Sequence, residues 1–199
     1  MDPAEPQRFK PIPGFWLILV ANVTIYAALV MADGDTNIGA RTIATWGGLL
    51  PQPFMEEEPW RYLTAGFLHF SLVHIVTNMI CLLAWGVPLE RGMGTLRFLL
   101  LFLASILGGS FLSVAMHEAP FIGAGASGGT SGLLGALMGL WFLGRIGVPA
   151  SFFVINIGLN VGVALFAPGV DWQAHLGGFI TGFVLALVLA PRPGWREED

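Results

Sequence analysis

The amino-acid sequence predicts an all-α membrane protein built as a bundle of six transmembrane helices. Three observations predict it. Hydrophobic residues make up 55% of the 199 positions and charged residues only 11%, against about 25% charged in an average soluble domain. Mean hydropathy is +0.73. The few charges also act as punctuation, because none falls in 11–32, 62–89, 98–117, 119–144, 146–170 or 172–191. Each window covers most or all of the roughly 20 residues that cross ~30 Å of hydrocarbon at 1.5 Å per residue. Helices are required, since a lone strand would leave its backbone groups unpaired in lipid.

The spans are expected near Phe15–Ala32, Phe67–Leu89, Phe98–Met116, Ser127–Gly144, Val148–Ala167 and Trp172–Ala190. Residues 1–13 and 191–199 then form polar tails on one side. That side collects Arg8, Lys10, Arg91, Arg97, Arg145, Arg192 and Arg196, while the opposite side has Arg41 and Arg61. The asymmetry predicts both termini in the cytoplasm. The net charge of −4 is small and points to no nucleic-acid partner. The first apolar stretch exceeds the usual 7–15 residues of a signal core, and Asp2 and Glu5 precede any base, so it is read as a retained span. A short six-span chain without a targeting extension is expected in a bacterial inner membrane. Cys81 is the only cysteine, which excludes an intrachain disulfide.

The longest connection, 33–66, carries Trp46, Leu49, Leu50, Phe54, Trp60 and Tyr62. Aromatics of this kind favour the headgroup zone, so the loop is expected to lie partly in the interface. Glu56–Glu58 is read as its wet face, because three adjacent carboxylates do not converge on one ion. No internal repeat is seen.

Residues 123–139 read GAGASGGTSGLLGALMG. At helical spacing Ser127, Ser131, Gly135 and Gly139 form one stripe, with Gly128 and Gly132 beside it. From Ser131 onward this is a helix-packing face of the small-xxx-small kind. Ser127 differs because it opens the helix, where unpartnered N–H groups and the positive dipole end would meet an oxyanion. A serine there is also an ordinary N-cap. GASGG at 125–129 matches the G-x-S-x-G nucleophile elbow as well, but that turn needs a preceding strand, and here the preceding residues HEAPFIGA form a short interhelical loop.

His175, Gly178 and Gly182 share a face of the sixth span, in AHLGGFITG. That face can press against the fourth span's small face. With both helices starting on one side, His175 and Ser127 would lie at similar depth, as a base and its hydroxyl must. Intramembrane ionisable residues are functional by default; a histidine satisfied by a neighbour is the plainer alternative. The second span opens HFSLVHIVTN, placing Ser71, His74 and Asn78 on one face with His69 off it. Two such donors could stabilise an oxyanion or hold a water pocket. A metal site of His69, His74 and His175 is the rival, weakened because no thiolate or carboxylate shares their depth. Asp171, four residues before His175, is read as a solvated carboxylate at the membrane edge.

These residues resemble the rhomboid family along nearly the whole chain. The matches are Trp60–Arg61, then HFSLVHIVTN with His69, His74 and Asn78, then Leu89, Glu90, Arg91 and Gly94. GASG follows, with Gly125, Ser127, Gly128 and Gly132, and lastly AHLGG with His175 and Gly178. The resemblance implies a compact rhomboid-like six-helix bundle with a wet cavity open to the non-cytoplasmic side. It implies an intramembrane serine protease without cofactor or metal, with Ser127 as nucleophile, His175 as general base and no third acid. His74, Asn78 and the Ser127 N–H are implied to hold the oxyanion. Single-pass membrane proteins are the implied substrates, cut near or inside the bilayer, and Val148–Ala167 is implied as a gate. One departure is Ser131, where the family often has an aromatic residue under the histidine; Trp141 or Phe179 would then have to support the ring. Two rivals remain, a non-catalytic relative that escorts membrane clients and a small transporter or channel. The first typically lacks the serine or histidine; the second is disfavoured by the absence of repeats and of paired acids or bases in the spans.

Overall fold

A computed structural model describes residues 10–117, 120–167 and 169–190. These form nine helices with no strand beyond one isolated bridge, Leu49 to Gly123. Helix α1 (Pro13–Asp33) opens with a proline in its first turn, where no intrahelical N–H is needed. It closes on Gly34 at φ 81°, whose N–H bonds Val30 O. Three short helices occupy the long loop: α2 (Ala40–Thr45), α3 (Phe54–Glu57) and α4 (Arg61–Thr64). Then follow α5 (Leu72–Met93), α6 (Thr95–Met116), α7 (Ser127–Phe142), α8 (Ala150–Phe166) and α9 (Trp172–Leu189). Of the polar tails expected at 1–13 and 191–199, residues 1–9 and 191–199, with Arg8, Arg192 and Arg196, lie outside the described residues.

Four helices, α1, α5, α6 and α9, are long and apolar enough to span a bilayer. The other two differ from the expected spans in an informative way. Helix α7 has 16 residues, of which twelve are buried, so its walls are protein and it need not match the lipid thickness. Its rise is about 24 Å at 1.5 Å per residue. Helix α8, with 17 residues, buries only Phe153.

The second span is also displaced from its expected bounds. A short turn over Ala65–Phe67 precedes it, and Leu68 and Ser71 are extended. Helix α5 then begins at Leu72 because the Ser71 hydroxyl accepts the His74 N–H at 3.2 Å, the usual capping preference. The helix widens into one π-type turn at Leu82–Gly86, just before Pro88, which has no N–H to give to the ladder. It continues past Leu89 to Met93, so Glu90 and Arg91 are helical. Gly94, at φ 85°, reverses the chain directly into α6, a conformation glycine adopts without a Cβ penalty.

Glu90 ties three elements together. Its buried carboxylate accepts the Gly14 and Phe15 N–H groups at 2.7 and 2.6 Å and the Thr95 hydroxyl at 2.7 Å. Ile12, at the cap position of α1, offers no side-chain bond, so Glu90 supplies both the acceptor and the negative charge that a helix N-terminus favours.

At the centre of the bundle α7 packs against both α6 and α9, which also pack on each other. Its closest approach is backbone to backbone: a Cβ added at Gly178 would overlap the Gly128 carbonyl, and one at Gly182 the Gly132 carbonyl. Around this seam Phe98, Leu101, Phe102, Ile106, Leu133 and Leu140 are fully buried.

Gly182→Val should therefore lower the thermal midpoint of the detergent-solubilised protein, by at least the ~1–3 kcal/mol typical of overpacking. Gly158→Val is the control, since nothing lies within 4 Å of a Cβ there, and it should leave the midpoint unchanged.

Candidate active site

The segment before α7 is pinned from three directions. Leu49 N–H donates to Gly123 O at 2.7 Å and Gly123 N–H to Leu49 O at 3.1 Å. Gly125 N–H donates to Ala65 O at 2.9 Å. Ala126 N–H points at His69 Nε2 at 3.5 Å. Arg61 braces the loop that supplies Leu49: its Nη1 donates to Ala44 O at 2.7 Å and Gly48 O at 2.9 Å, and its Nε pairs with Glu58. Glu58 thus pairs with Arg61 from the loop's surface, its side chain 38% exposed, and Glu56 and Glu57 are exposed beside it. Trp60, beside Arg61, is exposed.

Helix α7 then starts with Ala126 at the cap position and Ser127 as its first helical residue, with no side-chain cap. The capping role open to Ser127 is thus not the one it takes, and its hydroxyl is not spent on the helix end. The first N–H to find an intrahelical carbonyl is that of Thr130, which bonds Ala126 O at 2.9 Å. The preceding N–H groups carry the positive end of the dipole to the place where Ser127 sits.

Gly125 makes the site possible. It lies at φ +140°, and a Cβ on it would stand 2.7 Å from His74 Nε2 and 3.5 Å from Ser127 Oγ. The missing side chain is the space that the imidazole tip and the serine hydroxyl both border. His74 is held by an edge-to-face contact with His69 at 4.9 Å and a stacked contact with Phe70 at 6.3 Å. His69 lies off the Ser71–His74–Asn78 face yet is fully buried next to it. Asn78 is buried one turn along α5, its Nδ2 donating to His74 O at 2.9 Å; one of its two amide hydrogens remains for another acceptor.

His175 enters from α9. A Cβ at Gly109 on α6 would meet Ala174 O at 2.6 Å and Gly128 Cα at 3.2 Å. Ala174 and Gly128 therefore rest on the same spot of α6, which brings their neighbours, His175 and Ser127, to one level. His175 Nδ1 is buried without a hydrogen-bond partner. The Ser127–His175 hydrogen bond is not closed among the described residues, as is common before substrate tightens a site.

Two spaces adjoin these residues, one bordered by Ser127 and the other by His175. A crevice of about 20 Å³ is lined by Ser127, Gly128, Ser110, Ala174 and Asp171. A larger cleft of about 490 Å³ lies between α7, α8 and α9, with Ser131, Asn160, His175 and Phe179 in its wall. Ser131 leaves room there, and Phe179 is the aromatic that shares the wall with His175. Trp141, the other ring considered for that support, packs instead on Phe142 and Phe153.

Asp171 departs from its reading as a solvated carboxylate. Its Oδ1 accepts the Ala174 N–H at 2.9 Å, capping α9, and its Oδ2 accepts the buried Ser113 hydroxyl of α6. An aspartate just before an apolar helix is a cap signal, so half of this role was visible in the sequence; the Ser113 contact was not. Among the described residues no group of three or more His, Cys, Asp or Glu side chains could hold a metal, and His69, His74 and His175 form no such cluster.

The Rhomboid domain family model matches residues 56–192, which contain Ser127, His175, His74 and Asn78. The chain belongs to the rhomboid family. It is 40% identical over 165 residues to RHOMBOID-like protein 4 of Arabidopsis thaliana, covering 79% of this chain and 41% of that protein. It is 32% identical over 186 residues to rhomboid protease GluP of Bacillus subtilis, covering 90% of this chain and 35% of that one. With rhomboid protease GlpG of Salmonella choleraesuis the identity is 29% over 190 residues, 91% of this chain and 64% of that one. The chain spans about half or less of the length of the first two relatives. As a rhomboid with long apolar helices it is an integral membrane protein.

In this rhomboid Gly125→Ala should cost about 1–3 kcal/mol through the forced positive φ, read as a lower thermal midpoint. Of the four histidines, His74 should show the largest change in its ring resonances in ¹⁵N-histidine spectra.

Proposed function

We propose that this rhomboid is an intramembrane serine endopeptidase that hydrolyses peptide bonds of single-pass membrane proteins near or within the bilayer. Ser127 Oγ attacks the scissile carbonyl while His175 accepts its proton and delivers it to the leaving amine. The acyl-enzyme on Ser127 is released by water that His175 deprotonates in turn. The oxyanion is received by the Ser127 N–H at the start of α7, by His74 and by the spare amide hydrogen of Asn78. His69 holds His74 and Ala126 in place, and Gly125, Gly128, Gly132, Gly178 and Gly182 let the walls close up. No cofactor takes part.

One observation carries this reading: a serine hydroxyl unspent on capping, at a helix N-terminus, bordering His74 and level with His175. The large cleft beside α8 and that helix's slight burial support Ala150–Phe166 as the element that yields to a substrate helix. The basic residues Arg91, Arg97 and Arg145, set against Arg41 and Arg61, support an orientation with both termini cytoplasmic. The same proposal puts the chain in a bacterial inner membrane, with the site open to the outer face.

Reconstituted protein should cleave a single-pass helix and take up a fluorophosphonate on Ser127. Ser127→Ala should abolish both, and His175→Ala should lower cleavage at least a thousand-fold. His74→Ala and Asn78→Ala should each cost on the order of a hundred-fold in kcat, as loss of one oxyanion donor does. Client capture without cleavage by the unaltered protein would instead favour the escort reading.

A further inference from the structure

The first turn of α9 is held by a contact that the proposed chemistry does not use. Asp171 caps that helix through Oδ1, which accepts the Ala174 N–H at 2.9 Å. Its own carbonyl accepts the His175 N–H at 3.3 Å. The other carboxylate oxygen reaches across to α6 and accepts the Ser113 hydroxyl. Ser113 is fully buried one turn before the end of α6. The same turn is fixed from outside by His117, whose Nδ1 lies 2.9 Å from Ser113 O and whose ring stacks on Phe121 at 3.9 Å.

We propose that Asp171 and Ser113 form a latch between α6 and α9 that positions His175 at the depth of Ser127, making Asp171 a positioning residue for the dyad. The inference rests on the reading of His175 as base. The geometry favours it over a purely structural cap. A capping carboxylate needs only one oxygen, and the second here is committed to the neighbouring helix. His175 follows four residues after Asp171, so any tilt of the first turn moves the imidazole. The ring gains no support of its own from Nδ1, which is buried and unpartnered, so its place is set by the backbone that carries it. Asp171 also shares the small crevice with Ser127, which puts the latch beside the hydroxyl it serves.

The test measures kcat and KM on a reconstituted single-pass substrate for Asp171→Ala, Ser113→Ala, the double variant and Asp171→Asn. Each single alanine change should lower kcat on the order of ten-fold with KM within about two-fold, since misplacing a catalytic group by a fraction of an ångström has that effect. The double variant should be no worse than the poorer single, because both remove one contact. Asp171→Asn keeps an oxygen for the Ala174 N–H and an amide hydrogen for Ser113 Oγ, and should recover most of the loss. The His175 ring resonances should move in Ser113→Ala.

Thr42→Ala, which removes the bond to Asp33 at the end of α1 and touches neither Asp171 nor Ser113, serves as the stability control. If it lowers kcat as much as Ser113→Ala, the latch is only structural and the proposal is overturned. Unchanged kcat in both Asp171→Ala and Ser113→Ala overturns it too, while His175→Ala remaining inactive shows that the dyad reading survives. An active His175→Ala would instead remove the reading beneath it.

Discussion

The structure depends on one contact, the backbone seam between α7 and α9. Lipid supplies no hydrophobic drive for helix association, so spanning helices hold together by close packing. Gly128 against Gly178 and Gly132 against Gly182 bring main chain onto main chain. Such a seam has little freedom to slide, because a Cβ at Gly178 would strike the Gly128 carbonyl, one at Gly182 the Gly132 carbonyl and one at Gly132 the Ser105 side chain. The register it enforces is what puts Ser127, one residue before Gly128, level with His175, three residues before Gly178. Gly109 of α6 completes the arrangement by admitting Ala174 and Gly128 to the same spot.

The brevity of α7 has a second consequence. Its 16 residues rise about 24 Å, less than the ~30 Å of hydrocarbon. One end of this central helix therefore stops inside the thickness that its longer neighbours span. The pinned segment Gly123–Ala126 and the Arg61-braced loop fill the space above its N-terminus. A helix N-terminus recessed among protein keeps its positive end in a low-dielectric setting, where it acts more strongly on a developing charge than it would in water. The hydroxyl that meets it needs no separate cationic partner.

Much of this was legible from residues alone, because charge and small side chains carry it. Four of the six charge-free windows hold the helices long and apolar enough to span a bilayer, and the glycine spacings at 128, 132, 178 and 182 marked the faces that meet. What the sequence did not disclose depends on competition between nearby residues. Ser71 took the cap of α5 and shortened its expected start; Ala126 took the cap position of α7 and freed Ser127. Length and hydropathy could not reveal that α7 is walled by protein, since burial in helices and burial in lipid favour the same residues. Glu90, a motif residue, turned out to cap a helix 75 positions away in sequence, and Asp171 reaches Ser113 across 58 positions. Pairings of that range follow from how the helices assemble, which local sequence patterns do not encode.

The two sides of the bundle divide the demands of the proposed chemistry. On one side α6, α7 and α9 are locked by backbone contact, by the Asp171–Ser113 bond and by the pinned segment ahead of Ser127. On the other, α8 buries a single residue and borders a cleft of about 490 Å³. A site that must keep a hydroxyl and an imidazole aligned cannot be carried on a mobile wall. Yet a site inside a membrane must admit a helix-sized substrate from somewhere. His175 stands at the boundary, on the locked helix but with its ring in the wall of the cleft. On the proposed reading, rigidity of its first turn lets α8 shift without dragging the base, because His175 takes its position from α6 and α7 instead.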